Sequence, residues 1–207
     1  MSTTVTYAKP RWLRDLLRFL PLKSQFVLSG NVKDLQIREL ADGRVGPAPF
    51  VDVLSGELAA AGFTQILNWD PIAGFRVSGP ADAVNGADSV LRSFGLTPTA
   101  GSAPAGPDLV IATLERIVTS EVPTAVIIDF ASRLLARADS PLPAEHQFFT
   151  RALVLSQTAK PRPVGSSRTA LCNTVFWIVD KEGDLPDWMI IDNPRLRHIP
   201  VSKPDRA

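Results

Sequence analysis

Three aspartates close apolar runs in this sequence: Asp70 after residues 63–69, Asp129 after Ala125-Val126-Ile127-Ile128, and Asp180 after residues 173–179. In open α/β sheets ligands bind in the crevice beyond the carboxyl ends of the strands, so a carboxylate there can hold a metal ion or a water. Three converging carboxylates would bind magnesium through hard oxygen ligands, the chemistry of a magnesium-dependent phosphohydrolase or nuclease. Convergence is a geometric demand, because each strand step separates the ends by about 4.8 Å. A strand-terminal Asp also serves as a turn former or helix cap.

A second place for chemistry is Gly30-Asn31-Val32-Lys33-Asp34-Leu35, which follows the short buried run Gln25–Ser29. A phosphate loop would begin there, with backbone amides wrapping the phosphates and a lysine reaching them. That requires G-x-x-x-x-G-K-[ST]. Here the second glycine is missing and no hydroxyl follows Lys33, so the loop is absent. Gly165-Ser166-Ser167-Arg168-Thr169 is no substitute, since no strand is expected before it. A cysteine nucleophile is excluded too. The single cysteine, Cys172, is predicted on a buried strand, and neither His146 nor His198 is placed beside it or beside a serine motif.

The elements that must position these residues follow from periodicity. Thr124–Ile128 and Asn173–Val179 are apolar without alternation, as expected of parallel strands covered on both faces. Shorter strands are predicted over 25–30, 63–69 and 198–201, with a paired strand over 74–78 and a continuation of the central strand over 132–138. Helices are predicted over 11–20, 50–61, 81–94, 109–119 (capped by Asp108) and 144–159, their apolar residues falling on one stripe. Gly56 and Gly86 interrupt two of them. Residues 36–48 read as a turn-rich excursion, residues 160–163 as a basic loop, and residues 95–107, built of small residues and proline, as a mobile loop. Strands alternating with helices predict a doubly wound α/β fold, with a mostly parallel five-stranded sheet and helices on both faces. Residues 1–9 are expected to be a flexible tail and 10–207 one domain.

Composition narrows the function. A net charge of +1 gives no global electrostatic case for nucleic acid or a membrane surface, and one cysteine excludes an internal disulfide or a zinc site of several thiolates. No run approaches the ~18 apolar residues of a spanning helix, and the N-terminus lacks a signal-peptide core, so the expected location is the cytoplasm.

Ala125-Val126-Ile127-Ile128-Asp129 resembles the Walker B strand of AAA+ ATPases. The run 173–201, with Leu185-Pro186-Asp187-Trp188 and Asp192-Asn193-Pro194-Arg195-Leu196-Arg197-His198-Ile199-Pro200-Val201, resembles their sensor-1 strand and the segment after it. Together with residues 11–31 the chain looks most like the leading, degenerate AAA+-like domain of bacterial two-domain Clp-type proteins. The resemblance implies a P-loop-like core. Asp129 would lie in a magnesium shell, Gly30 and Asn31 beside a nucleotide, and Arg195 and Arg197 would be fingers reaching a neighbouring subunit's nucleotide. ATP and Mg2+, held weakly or at an interface, are the cofactors it implies.

The departures are specific. Phe130 stands where a glutamate polarises the attacking water, the lysine-bearing loop is absent, and a helical lid is not expected within these residues. Phosphoryl transfer depends on those parts, so autonomous ATPase activity is not expected. The expected function is an assembly or regulatory module of a larger ATPase, with other subunits or a following AAA+ domain as partners. The alternatives are the aspartate-based hydrolase above, or a ligand-free adaptor docking through helix 11–20, loop 95–107, Trp12 and Trp188.

Overall fold

The computed structural model describes residues 8–39, 44–79, 86–166 and 168–203. The tail up to residue 7, the Asp42-Gly43 turn and the start of the helix expected over 81–94 lie outside that set. Its strands are β1 (Gln25–Gly30), β2 (Gln36–Glu39), β3 (Val45–Ala48), β4 (Gln65–Asp70), β5 (Gly74–Ser78), β6 (Ser102–Ala103), β7 (Thr124–Ile128), β8 (Arg162–Val164), β9 (Thr169–Leu171), β10 (Thr174–Val179) and β11 (Leu196–Val201). Its helices are α1 (Arg11–Phe19), α2 (Phe50–Ala60), α3 (Ala87–Ser93), α4 (Pro107–Thr119), α5 (Pro143–Thr158) and α6 (Asp187–Ile190).

Seven strands form the main sheet, in the order β11-β1-β10-β7-β4-β5-β6. The first five are parallel and are the five expected; β5 and β6 add an antiparallel margin, so the sheet is larger than predicted. The alternation of strand side chains explains why aliphatic runs are needed. On β1, β7 and β10, Val27, Val126, Ile128, Val175 and Trp177 point into one core with α3, α4 and α5. Their neighbours Phe26, Leu28, Ala125, Ile127, Phe176 and Ile178 point into the other, under α1 and α2. Each such aliphatic or phenyl side chain removed from water contributes about 1.5–3 kcal/mol.

Buried polar side chains tie helices to strands. Asn173 accepts from the Thr124 amide (2.9 Å) and donates to the Ile117 and Ser120 carbonyls (2.7 and 2.9 Å), fixing the end of α4 against β7. Gln25 donates to the Ala152 carbonyl on α5 (2.8 Å) and accepts from Trp177 Nε1 (3.1 Å). At the start of α5, Pro143 occupies the first turn. The Glu145 carboxylate there accepts from the amides of Leu142 (2.7 Å) and Ala136 (2.9 Å).

Several sequence expectations need correction. Within residues 95–107, Ser102–Ala103 form β6 and pair with β5, Leu96 and Ala103 are buried, and Trp69 Nε1 donates to the Ala105 carbonyl (3.1 Å). Small residues are required there for close approach. A Cβ on Gly74 would lie 2.1 Å from the Ala103 carbonyl oxygen. The 36–48 excursion contains the antiparallel pair β2–β3, and the basic loop leads into a second pair, β8–β9. Lys9, expected in a loose tail, pairs with Glu57 of α2. Asp108 lies inside α4, and Gly106, not Asp108, precedes the helix. Trp12, a candidate anchor in the adaptor reading, is 3% exposed and packs on Phe50. The central strand stops at Ile128 instead of continuing over 132–138, because Phe130 is left-handed (φ 54°) and Ala131–Arg133 form a 3-10 turn.

Among the described residues β11, at the outer margin, pairs only with β1. The Gln25 and Asn31 amides donate to the Arg195 and Val201 carbonyls, so odd-numbered residues of β11 turn their backbone groups toward β1. Leu196, His198 and Pro200 turn theirs outward. The Leu196 amide is already bonded to the Asn193 carbonyl (3.2 Å), and Pro200 has no N–H.

Candidate functional site

In chain order the five parallel strands lie 5-1-4-3-2, and the direction of connection reverses between β1 and β10. A crevice beyond the carboxyl ends is expected at such a reversal. It is bounded by the turn after β1, by Asp129 and Phe130 after β7, and by Asp180 after β10.

The turn after β1 is folded onto protein carbonyls. The Gly30 amide donates to the Asp180 carbonyl (3.2 Å), the Asn31 amide to Val201 (2.9 Å) and the Val32 amide back to Gly30 (2.8 Å). Gly30 is left-handed (φ 95°), and a Cβ there would meet the Val201 oxygen at 2.8 Å. A phosphate cradle needs successive amides aimed at a free anion. These three are engaged within the protein. The chain then runs to β2, not directly into a helix whose first turn could face an anion. Asn31, expected beside a nucleotide, has its side-chain Nδ2 buried without a partner, while its carbonyl accepts from Gln36 (3.3 Å).

Asp70, Asp129 and Asp180 do end adjacent strands, since β4, β7 and β10 are neighbours. Each nevertheless has its own cation. Asp129 Oδ1 accepts from Lys33 Nζ (2.9 Å) and from the Phe130 amide (2.8 Å). Asp180 pairs with Arg133 (3.3 Å). Asp70 pairs with Arg76 (2.5 Å) and accepts from the Ile72 and Ala73 amides (2.9 and 2.8 Å), closing the β4–β5 turn. Among the described residues no group of three or more His, Cys, Asp and Glu side chains is placed to hold a metal ion.

Lys33 makes a second contact, lying 3.4 Å from the centroid of the Phe130 ring. Its ammonium is therefore shared between a carboxylate and an aromatic face, a cation–π arrangement. Phe130 is 42% exposed in spite of its left-handed backbone, a conformation that costs a non-glycine residue about 1–3 kcal/mol. A phenyl ring cannot orient a water for in-line attack.

Arg195 and Arg197 flank the first residue of β11. Arg197 is exposed and stacks over the Phe19 ring (4.4 Å), with Arg18 near the same ring (5.6 Å), which joins α1 to β11. Arg195 is half-buried; its amide donates to Asn193 Oδ1 (3.0 Å) and its carbonyl accepts from the Ser24 and Gln25 amides.

One constellation escaped the sequence reading. His198 does have a serine beside it: Ser29 Oγ lies 2.7 Å from Nε2, and Glu182 lies 3.1 Å from Nδ1. With a carboxylate on Nδ1, that nitrogen carries the proton and Nε2 accepts from the Ser29 hydroxyl. Burial lowers the His198 pKa from its usual 6.5, with Glu182 opposing and Arg197 adding to the shift, so the neutral ring is favoured. The order serine, base, acid is that of a nucleophilic triad. Two features argue against attack on an acyl group. Ser29 is 5% exposed within β1, and the following amide, Gly30, donates to Asp180 instead of an oxyanion. The three residues instead tie β1, β11 and the segment after β10 together. No periodic signal announces such a contact, because strand pairing alone brings Ser29 to His198. Cys172 is 3% exposed, and burial raises its thiol pKa, with opposing contributions from Arg195 and Arg162; the expected inert thiol agrees with that placement.

No described helix is long and apolar enough to cross a membrane. No curated protein and no solved structure matches this chain. A family model does, over residues 6–202, which includes every strand and helix described above. The chain therefore belongs to the family described as the AAA+ chaperone, N-terminal Rossmann-like domain.

Proposed function

We propose that this domain is a catalytically degenerate, nucleotide-independent module that works through protein interfaces in the assembly or regulation of a larger cytoplasmic AAA+ remodelling machine. The observation that carries the proposal is the turn after β1, whose first three amides are donated to the carbonyls of Asp180, Val201 and Gly30. Binding a phosphate there would require breaking those bonds, and Lys33 would have to leave Asp129 and Phe130. Phe130 in place of the water-orienting carboxylate supports the same conclusion. Arg197, exposed and braced by Phe19, is the residue best placed to act on a neighbour, and an arginine supplied in trans can raise phosphoryl transfer by ~10³–10⁵.

Titration with ATP and magnesium, read by thermal shift and calorimetry, tests the proposal. A ligand that binds the native state must raise its apparent stability. No shift is expected at millimolar nucleotide, and saturable binding with hydrolysis would overturn the proposal. In a reconstituted assembly, Arg197→Ala is expected to lower the partner's turnover, while the isolated domain loses only about 0.5–1 kcal/mol with the Phe19 contact.

A further inference from the structure

Where α1 packs on β11, the outer margin of the sheet carries arginines that the rest of the protein leaves uncompensated. Between residues 76 and 162, Arg76, Arg92, Arg133, Arg137, Arg151 and Arg162 each have a carboxylate of their own. Among the described residues, Arg14, Arg18, Arg195 and Arg197 have none. The single acid of α1, Asp15, faces Arg11 (3.9 Å), and Glu182 is taken by His198.

These charges are gathered, not scattered. Arg14 and Arg18 are exposed on one side of α1, a helical turn apart. The guanidiniums of Arg18 and Arg197 share the Phe19 ring, 5.6 and 4.4 Å from its centroid. The two charges therefore lie no farther apart than the screening length of dilute salt, about 10 Å. Lys23, bonded to the Pro194 carbonyl (2.7 Å), adds a fifth charge next to the Arg195 backbone. Arg197 pairs in register with Phe26, near the start of β1, so the cluster lies at the opposite end of the strands from Gly30 and Asp129.

We propose that this margin is the docking surface for a carboxylate-rich segment of a partner protein, with Arg18 and Arg197 as its central pair. The proposal rests on the reading of this domain as an interface module and gives that interface its chemistry. A guanidinium stacked on a ring keeps its N–H donors in its own plane, where a carboxylate meets two of them at once. Other anions fit less well. The apolar stripe of α1 (Trp12, Leu13, Leu16) is buried, which leaves Leu22 of the following turn, too little apolar surface to enter a lipid layer. Five cations on a chain of net charge +1 supply neither the field nor the phosphate contacts by which nucleic acid is held.

Fluorescence anisotropy at low salt compares labelled decamers of L-glutamate, L-glutamine and thymidylate on the whole chain, and co-sedimentation tests vesicles of phosphatidylcholine and phosphatidylserine. Saturable binding of the glutamate decamer, reversed by salt, is expected, with none of the glutamine decamer. Arg18→Gln combined with Arg197→Gln is expected to weaken that binding at least about tenfold, whereas Arg137→Gln, at an arginine with its own carboxylate, leaves it unchanged. Should the first pair of changes lower the melting temperature, Arg14→Gln with Arg18→Gln, both on an exposed helix face, is expected to weaken binding in the same direction. Absence of saturable glutamate binding, an equal loss in Arg137→Gln, or binding of thymidylate or the vesicles as tight as that of glutamate would overturn the proposal. Nucleotide binding in the ATP titration would sink the degenerate reading without touching this result, so the two fail separately.

Discussion

The carboxyl edge of the sheet has most of its polar groups paired, whereas beside α2, around the depression lined by Arg38, Asp52 and Ser55, two buried atoms are not. At the edge, Asp70, Asp129 and Asp180 each have a basic partner, and the amides of Gly30, Asn31 and Val32 each have a carbonyl. Beside α2, Arg38 Nε and Ser55 Oγ have none, and neither does Asn31 Nδ2 at the edge. The sequence resemblance directs attention to the edge, but groups that are already satisfied gain little from a ligand. Position in the fold and readiness to bind are therefore separate properties in this domain.

Gly30 gives the largest test of that contrast. Gly30→Ala places a Cβ 2.8 Å from the Val201 oxygen at φ 95°, and is expected to destabilise by about 2–3 kcal/mol, read as a lower urea midpoint. Next comes a pH effect on the same margin. His198 binds its proton less readily in the fold than at the ordinary 6.5. The native state is then the poorer proton acceptor, so the stability this group contributes is complete above about 6.5 and falls as pH drops through that value. The melting temperature should fall on acidification toward pH 5, and His198→Gln should flatten that part of the curve. Lys33→Met removes an ion pair and a cation–π contact that are partly exposed, so a loss of about 1 kcal/mol is expected. That variant should still bind no nucleotide; if it gains binding, the Lys33–Asp129 pair was the barrier and the edge is less committed than it looks. Smallest and opposite in sign is Gly56→Ala, expected to stabilise by about 0.5–1 kcal/mol because its Cβ meets nothing and the helix gains propensity.

What could be read from sequence follows from how local its cause is. β7 and β10 were legible because both faces are buried, which demands near-continuous apolar residues over five or six positions. β6, with two residues, and the β8–β9 pair, with proline and exposed side chains, leave no such pattern. The strand-end aspartates were found because they close apolar runs, but their cations were not. Lys33 reaches Asp129 across 96 positions of sequence and Arg133 reaches Asp180 across 47, distances at which no spacing rule applies.

Pro200 on the outer margin of β11 has a consequence for how neighbours can join. With the Leu196 amide already bonded and Pro200 lacking one, His198 carries the one outward N–H of the strand without a partner among the described residues. An incoming extended chain needs alternate donors along the whole edge to register as an eighth strand, and here it would find one. The margin therefore rejects the sequence-blind backbone pairing that drives cross-β growth, and any assembly on this side has to be encoded in side chains, where it can be selective.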